Sequence, residues 1–107
     1  MALHDKNISF TAVFAANDMM AMGARLALHR CGLSVPDQVS LVGFDDQAEA
    51  EFMLPPLTTV RQPANEMGVL GSQALLDLIN GKSFPSQQLD VHLQVRESTA
   101  PVATRSV

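Results

Sequence analysis

Two short apolar, β-prone runs with a helix-like segment between them constrain the fold of this chain more than any other feature. The runs are TAVFAA at residues 11–16 and VSLVGF at residues 39–44, and both are apolar enough to be buried on both faces of a sheet. Between them, Asn17 and Asp18 form a helix-start signal, and Gly32 suits the position just after a helix end. The whole unit of about 34 residues predicts a strand–helix–strand crossover and a parallel pair of strands.

The remaining segments continue this alternation of helices and strands. Residues 47–54 predict two helical turns, and residues 57–62 predict a third strand. Residues 63–80 carry a regular apolar stripe, which predicts an amphipathic helix. Residues 89–97 alternate strictly between apolar and polar, which predicts a half-exposed strand at an edge. We therefore expect an α/β fold with an open, mainly parallel sheet and flanking helices.

Composition and charge argue against several classes of function. The net charge of −4 and pI of about 5.1 disfavour nucleic-acid binding by this segment itself, because phosphate contacts need a basic face. Cys31 is the single cysteine, so no disulfide can form within the chain, which fits a reducing compartment. No apolar run approaches the roughly 18 residues of a membrane span. The histidines lack metal-ligand spacing.

Polar side chains follow each of the three predicted parallel strands at the point where the strand ends. Asn17 follows the first strand, the Asp45-Asp46 pair ends the second, and Gln62 ends the third. Ligands of open α/β sheets bind outside the carboxyl ends of the strands, so we expect these side chains to converge on one edge. Two amides and a carboxylate offer mixed donors and acceptors. This set suits a neutral, hydroxyl-rich ligand such as a sugar, and Phe44 would add a stacking face.

The sequence alone leaves two other interpretations of these residues open. Asn17 and Asp18 can simply cap a helix, and Asp45 and Asp46 can simply start the next helical turn. The two roles are compatible, because one acid of a pair can cap while the other contacts a ligand. Asp18, Asp45 and Asp46 could also hold magnesium, as in phosphoryl-transfer enzymes of similar architecture. Such an enzyme would need a further acid and a lysine at another strand end, and the sequence offers neither.

Five motifs taken together resemble one known family. Their order and gaps are similar to those of the C-terminal part of LacI/GalR-type bacterial transcription regulators: FTAVFAANDMMAMGA, VPDQVSLVGFDD, PPLTTVRQP with EMG, LLDLINGK and LQVRESTAP. The resemblance runs from about Phe10 to Pro101, nearly the whole chain. It implies a periplasmic-binding-protein-like effector core of two α/β subdomains with a small-molecule cleft between them. This chain would be incomplete, about the last third of the family chain.

The resemblance also implies a division of the chain. Residues 1–101 would be the C-terminal portion of the effector-binding and dimerisation core, and residues 102–107 would be a flexible tail. The helix at residues 63–80 would belong to the other subdomain, and the strand at residues 89–97 would return from it. The helix-turn-helix head, the hinge helix and the N-terminal subdomain of the family would lie outside this sequence.

Site residues carry over from the family position by position. Asn17, Asp45 and Gln62 match positions that contact the effector, and Asp46 matches a second acid that we take as structural. Phe44 remains a candidate from its place beside Asp45. The residues that match the family's dimerisation surface are Met20, Met22, Glu51 and Met53.

The expected function is that of a fragment of a ligand-responsive bacterial transcription regulator, a repressor and not an enzyme. It would bind a sugar-like effector without a metal or cofactor, form a homodimer, and be cytoplasmic, with no membrane partner. It would control DNA only through the N-terminal helix-turn-helix, by shifting the populations of two arrangements of the subdomains. The alternative is a periplasmic sugar-binding protein of a transport system with the same fold, and upstream sequence would discriminate between the two.

Overall fold

Strands and helices alternate along the chain, as the sequence predicts. The computed structural model describes residues 6–102. Its elements are β1 (Ala12–Phe14), α1 (Asp18–Arg30), β2 (Ser40–Asp45), a short 3-10 helix (Ala48–Phe52), β3 (Thr58–Arg61), α2 (Ala64–Ile79) and β4 (His92–Gln94). The sheet has four strands in the order β1-β2-β3-β4, and β1 with β2 and β2 with β3 are parallel pairs. The prediction of an α/β fold with an open, mainly parallel sheet is confirmed.

The described residues form two compact units. The first comprises residues 6–61 and 93–102 and contains β1, α1, β2, the 3-10 helix and β3. The second comprises residues 62–92 and contains α2. The flexible tail expected at residues 102–107 lies outside the described residues except for Val102.

The core of the first unit is built from small and branched apolar side chains of successive elements. Ala15, Ala21, Leu41, Ala50 and Leu57 form one buried cluster. Because the leucines at its centre are fully buried, each contributes about 1.5–3 kcal/mol of hydrophobic stabilisation. This cluster fixes α1 against β2, and thereby fixes the carboxyl ends of the strands.

A segment at residues 97–100 completes the opposite end of the sheet. Leu41 N–H donates to the Ser98 carbonyl at 2.8 Å, and the Ser98 hydroxyl donates to the Leu41 carbonyl at 2.5 Å. The same hydroxyl oxygen accepts from Thr58 N–H at 2.8 Å. One buried serine therefore satisfies backbone groups of two neighbouring strands, as buried polar groups require.

Local predictions at the ends of α1 are confirmed, whereas two details of other elements are wrong. Asn17 is the N-cap of α1, and Gly32 has a φ of 76° just after the helix. The β1 strand is not buried on both faces, because Ala12 and Phe14, which share one face, are both exposed. The segment expected as two α-helical turns at residues 47–54 is a 3-10 helix of five residues, since Pro55 follows too soon for a longer helix.

The apolar faces of α2 and β4 are not buried. The amphipathic helix is confirmed, but none of its residues is buried. The strand expected at residues 89–97 is limited to His92–Gln94. Leu93 and Val95 are exposed, whereas Gln94 and Arg96 are partly buried, which reverses the expected orientation. The reason lies at Arg96, whose guanidinium bonds inward, so that strand alternation turns its neighbours outward.

Candidate functional site

The parallel strands bring the first two predicted polar positions to the same edge of the sheet. Asn17 follows β1, and Asp45 ends β2, so both lie at the carboxyl ends of neighbouring parallel strands. This edge of the first unit, defined by Asn17, Asp45 and Asp46, is hereafter the ligand edge. Open α/β sheets place their ligand sites at such an edge.

The side-chain oxygen of Asn17 caps α1, and the side-chain NH2 group can still donate hydrogen bonds. Its side-chain oxygen accepts from Met20 N–H at 2.8 Å, and its backbone is extended with φ −156° and ψ 173°. Because the oxygen is engaged in the cap, the side-chain NH2 is the group that remains, and it has no partner among residues 6–102. The capping and ligand-contact interpretations of Asn17 are therefore compatible in one conformation.

Asp45 and Asp46 form a turn in an unusual backbone conformation. The φ angle is 114° at Asp45 and 56° at Asp46. Side chains other than glycine adopt positive φ rarely, and each such residue costs on the order of 1–3 kcal/mol unless its surroundings fix it. In register, Asp45 lies beside Arg61 of β3. A contact from β3 holds this Asp45–Asp46 turn, because Asp46 N–H donates to Thr59 Oγ1 at 3.4 Å.

Asp46 is held by two arginines of very different exposure. Arg96 Nη2 lies 2.7 Å from Asp46 Oδ1, and only 15% and 9% of the two side chains are exposed. Arg61 Nε lies 3.8 Å from Asp46 Oδ2, but 60% of the Arg61 side chain is exposed. Arg96 also donates to the Leu57 carbonyl at 2.8 Å. These contacts give Asp46 a structural role, as the sequence analysis expects.

Asp18 makes contacts that the sequence did not predict. It is fully buried, with none of its surface exposed. Its Oδ2 accepts from Gln47 N–H at 2.6 Å, and its Oδ1 accepts from the Thr59 hydroxyl at 2.6 Å. Asp18 is therefore more than the helix cap or magnesium ligand considered above. In residues 6–102, no group of three or more His, Cys, Asp or Glu side chains could hold a metal ion.

A glycine inside β2 is the sequence signal that could have revealed this contact. A Cβ atom at Gly43 would collide with Asp18 Oδ1 and would lie 2.9 Å from Leu57 Cδ2. Glycine weakens a strand interior, so its presence there indicates the close approach of another group. Arg96 offered no such signal, because it lies in a polar row expected to face solvent.

The positions of Phe44 and Gln62 give weaker support for a ligand contact than those of Asn17 and Asp45. Phe44 is partly buried in β2, in register with Val60 of β3. Gln62 follows β3 directly but begins the second unit. There it lines a groove of about 410 Å³ whose other walls are mainly apolar: Pro63, Met67, Leu70, Gly71, Ala74, Phe84, Pro85, Leu89 and Val91. The apolar walls suit hydrophobic packing better than they suit a hydroxyl-rich ligand.

The four residues expected at a dimer interface divide into two pairs. Met20 and Glu51 are exposed, whereas Met22 is partly buried. Met53 packs against the core cluster. Phe52, within the same segment as Glu51 and Met53, and Leu54, which follows it, are each 79% exposed.

Comparisons with known proteins agree with this architecture. Residues 2–99 match the family model of the periplasmic binding protein-like domain. The chain is 40% identical over 96 residues to the probable HTH-type transcriptional repressor ExuR of Bacillus subtilis, a match that covers 88% of this chain and 29% of the relative. The name of this relative, a probable transcriptional repressor, agrees with the expectation of a transcription regulator. No helix within residues 6–102 is long and apolar enough to cross a membrane.

Solved structures of regulators show the same fold. A dimeric lac repressor with an 11-residue C-terminal deletion superimposes with a TM-score of 0.88 at 36% identity, covering 96% of this chain and 38% of that chain. A LacI family transcriptional regulator from Enterococcus faecium with bound ribose gives a TM-score of 0.83 at 34% identity, covering 95% and 40%. The chain thus spans well under half the length of these relatives. It belongs to the periplasmic binding protein-like domain family and corresponds to the C-terminal part of the effector-binding core of LacI/GalR-type regulators.

Proposed function

We propose that this chain carries part of the effector site of a bacterial transcription repressor whose effector is a sugar-like molecule. DNA would be bound only through an N-terminal helix-turn-helix, and we expect a cytoplasmic location. The observation that carries the proposal is the ligand edge, where Asn17 follows β1 and Asp45 ends the neighbouring parallel strand β2. The Asn17 NH2 has no partner among residues 6–102. The relatives named above are repressors or transcriptional regulators by name, so they favour a regulator over a periplasmic sugar-binding protein of a transport system.

The chemistry of the ligand edge supports a hydroxyl-rich effector. A sugar hydroxyl both donates and accepts, so the Asn17 NH2 can donate to it while the Asp45 carboxylate accepts from it. Hydrogen bonds to an ionised carboxylate are stronger than neutral ones. Phe44, which precedes Asp45 in β2, would add a stacking face. Gln62 remains a proposed effector contact on the basis of the family resemblance alone. The ribose bound in the structure of the Enterococcus faecium regulator is a molecule of this chemical class.

An isosteric substitution at Asp45 tests the effector contact. Asp45→Asn removes the charge but keeps a residue that tolerates positive φ, so the turn should survive. A thermal-shift panel of pentoses, hexoses, disaccharides and nucleosides first identifies the ligand that binds the intact wild-type protein. We expect Asp45→Asn to lower the affinity for that ligand at least about tenfold. Asp37→Asn, the same change at an exposed position in the first unit, is the control. Unchanged affinity in Asp45→Asn would limit Asp45 to a structural role.

Exposed apolar side chains support a homodimer of the intact protein. Met19 and Met20 on α1, together with Phe52 and Leu54 at the 3-10 helix, leave large apolar surfaces in water within the first unit. Such surfaces are typical of interfaces between copies of a chain. The lac repressor structure that this chain resembles is dimeric. We propose that these residues, with Glu51, contact a second copy.

The second unit would complete the other subdomain. The α2 helix exposes Val69, Leu75 and Ile79, and the groove beside it is apolar. A helix with an apolar stripe gains most of its stability by packing that stripe against other elements. We propose that residues outside this sequence cover it in the intact protein, as expected for a helix of the N-terminal subdomain.

A further inference from the structure

Asp18 is a fully buried carboxylate for which the proposed effector contact provides no role. In the part of the chain that the structure describes, no arginine or lysine pairs with it. Its two oxygens accept instead from an amide and a hydroxyl, each at 2.6 Å. A buried charge without a counter-ion is retained only where such donors satisfy it.

Both donors belong to one connected set of contacts around the Asp45–Asp46 turn. Gln47 N–H, which donates to Asp18 Oδ2, is the first amide after Asp46. Thr59 Oγ1 donates to Asp18 Oδ1 and accepts from Asp46 N–H at 3.4 Å. Two consecutive amides of the turn therefore end on the Asp18–Thr59 pair, which joins α1 to β3.

The turn needs this support because of its backbone conformation. With φ at 114° and 56°, neither Asp45 nor Asp46 has the backbone that a side-chain-bearing residue prefers. Such conformations persist where the surrounding structure over-determines them. If the bonds to Asp18 were lost, relaxation of φ would rotate the backbone at Asp45 itself.

The strand beneath the carboxylate is shaped to admit it. Gly43 lies in β2, two residues before Asp45, and a side chain there would occupy the place of Asp18 Oδ1. Asp18 is also the first residue of α1, where the helix N-terminus favours a negative charge. Three elements, α1, β2 and β3, thus converge around one buried acidic side chain beside the ligand edge.

We propose that Asp18 is a positioning residue whose carboxylate fixes the Asp45–Asp46 turn in the conformation that binds the effector. The inference rests on the proposed effector contact of Asp45. Asp18 does not touch the effector itself. Its substitution should nevertheless change effector affinity, because Asp45 would no longer be held in place.

The test measures the turn and the binding separately in the intact protein. Residue-resolved amide hydrogen exchange reports the turn through Gln47 N–H, and it reports the sheet through Ala15 N–H, which donates to the Val42 carbonyl at 2.8 Å. Isothermal titration with D-ribose reports binding. The variants are Asp18→Asn and the pair Thr59→Val and Thr59→Ser, and Asp37→Asn is the control.

The expected pattern is specific to the turn. In Asp18→Asn and Thr59→Val, exchange at Gln47 should rise at least about tenfold while exchange at Ala15 stays within about twofold. Affinity for D-ribose should fall at least about fivefold in the same two variants. Thr59→Ser, which restores the hydroxyl, and Asp37→Asn should match the wild type. If Asp18→Asn does not fold, the comparison of Thr59→Val with Thr59→Ser tests the same inference.

Three outcomes would overturn the inference. The first is unchanged exchange at Gln47 in the folded variants. The second is equal acceleration at Gln47 and Ala15, which would mean general destabilisation. The third is faster exchange at Gln47 with unchanged D-ribose affinity, which would leave Asp18 a purely structural role. If the wild type does not bind D-ribose, only ribose as the effector fails, and the same titrations are made with the sugar that the thermal-shift panel identifies.

Discussion

The two arginines beside Asp46 provide a direct test of how burial sets the strength of an ion pair. Replacing Arg96 with methionine keeps most of the aliphatic stem and removes the guanidinium. The change breaks the 2.7 Å contact with Asp46 and the 2.8 Å hydrogen bond to the Leu57 carbonyl. Arg61→Met is the matched control, because it removes the same group from the same carboxylate at 3.8 Å.

The expected magnitudes follow from exposure. Removing one partner of a buried pair costs about 3–5 kcal/mol, because the other charge is left unpaired. The lost hydrogen bond to Leu57 adds about 1 kcal/mol. Arg61 remains close to Asp46 and offsets part of this, so we expect about 3 kcal/mol for Arg96→Met. The Arg61 side chain is 60% exposed, and an exposed pair contributes at most about 1 kcal/mol.

Hydrogen exchange at Glu97 N–H measures this difference locally. That amide donates to the Pro56 carbonyl at 3.0 Å, next to Arg96. A difference of about 2 kcal/mol corresponds to roughly a 30-fold difference in the opening equilibrium. We therefore expect Glu97 to exchange roughly 30 times faster in Arg96→Met than in Arg61→Met. Adding Asp46→Asn to Arg96→Met should slow exchange again, because the unpaired charge is removed.

Equal exchange rates in Arg96→Met and Arg61→Met would refute this reasoning. Such a result would mean that water screens Asp46 despite its 9% exposure. Faster exchange in Arg61→Met than in Arg96→Met would also refute the reasoning, and it would assign the structural role to Arg61.

Three further substitutions test separate parts of the structure. Gly43→Ala should lower the free energy of unfolding in urea by about 1–3 kcal/mol, because the new Cβ would meet Asp18 and Leu57. The control, Gly23→Ala, adds a Cβ in open space on α1 and should be neutral or stabilising. Equal effects of the two substitutions would contradict the contact at Gly43. Asn17→Asp should keep the melting temperature of the wild type, since aspartate caps as well as asparagine, but should weaken sugar binding by removing the NH2 donor; unchanged affinity would leave Asn17 only a cap. Phe52→Glu should shift the intact protein towards monomer in sedimentation velocity with little loss of stability, because the side chain is 79% exposed; an unchanged dimer would exclude this surface from the interface.

Local patterns were sufficient to predict the elements and their order. Helix-start residues, the glycine after α1 and the apolar runs act over a few positions, so they can be read directly from the sequence. The parallel arrangement followed from the spacing between strands. Asn17 was predicted both to cap and to face the ligand edge, and its hydrogen bond to Met20 shows how one amide can serve both roles.

The orientation of β4 and the role of Asp18 could not be predicted in the same way. An alternating strand indicates which residues share a face but not which face is buried. Arg96 decides this through Asp46, which lies 50 positions away in sequence. The bonds of Asp18 span 29 and 41 positions. Pairings of this range depend on the folded arrangement of several elements, and no local pattern encodes them.

The bonds of Ser98 determine when this sheet can be finished as the chain leaves the ribosome. Leu41 and Thr58 emerge long before the serine that pairs with their amides, by 57 and 40 positions. Until then, the starts of β2 and β3 must remain bonded to water and cannot be buried, because contacts distant in sequence form late. A chain truncated just before Ser98 would therefore leave the Leu41 and Thr58 amides at the starts of β2 and β3 without these partners.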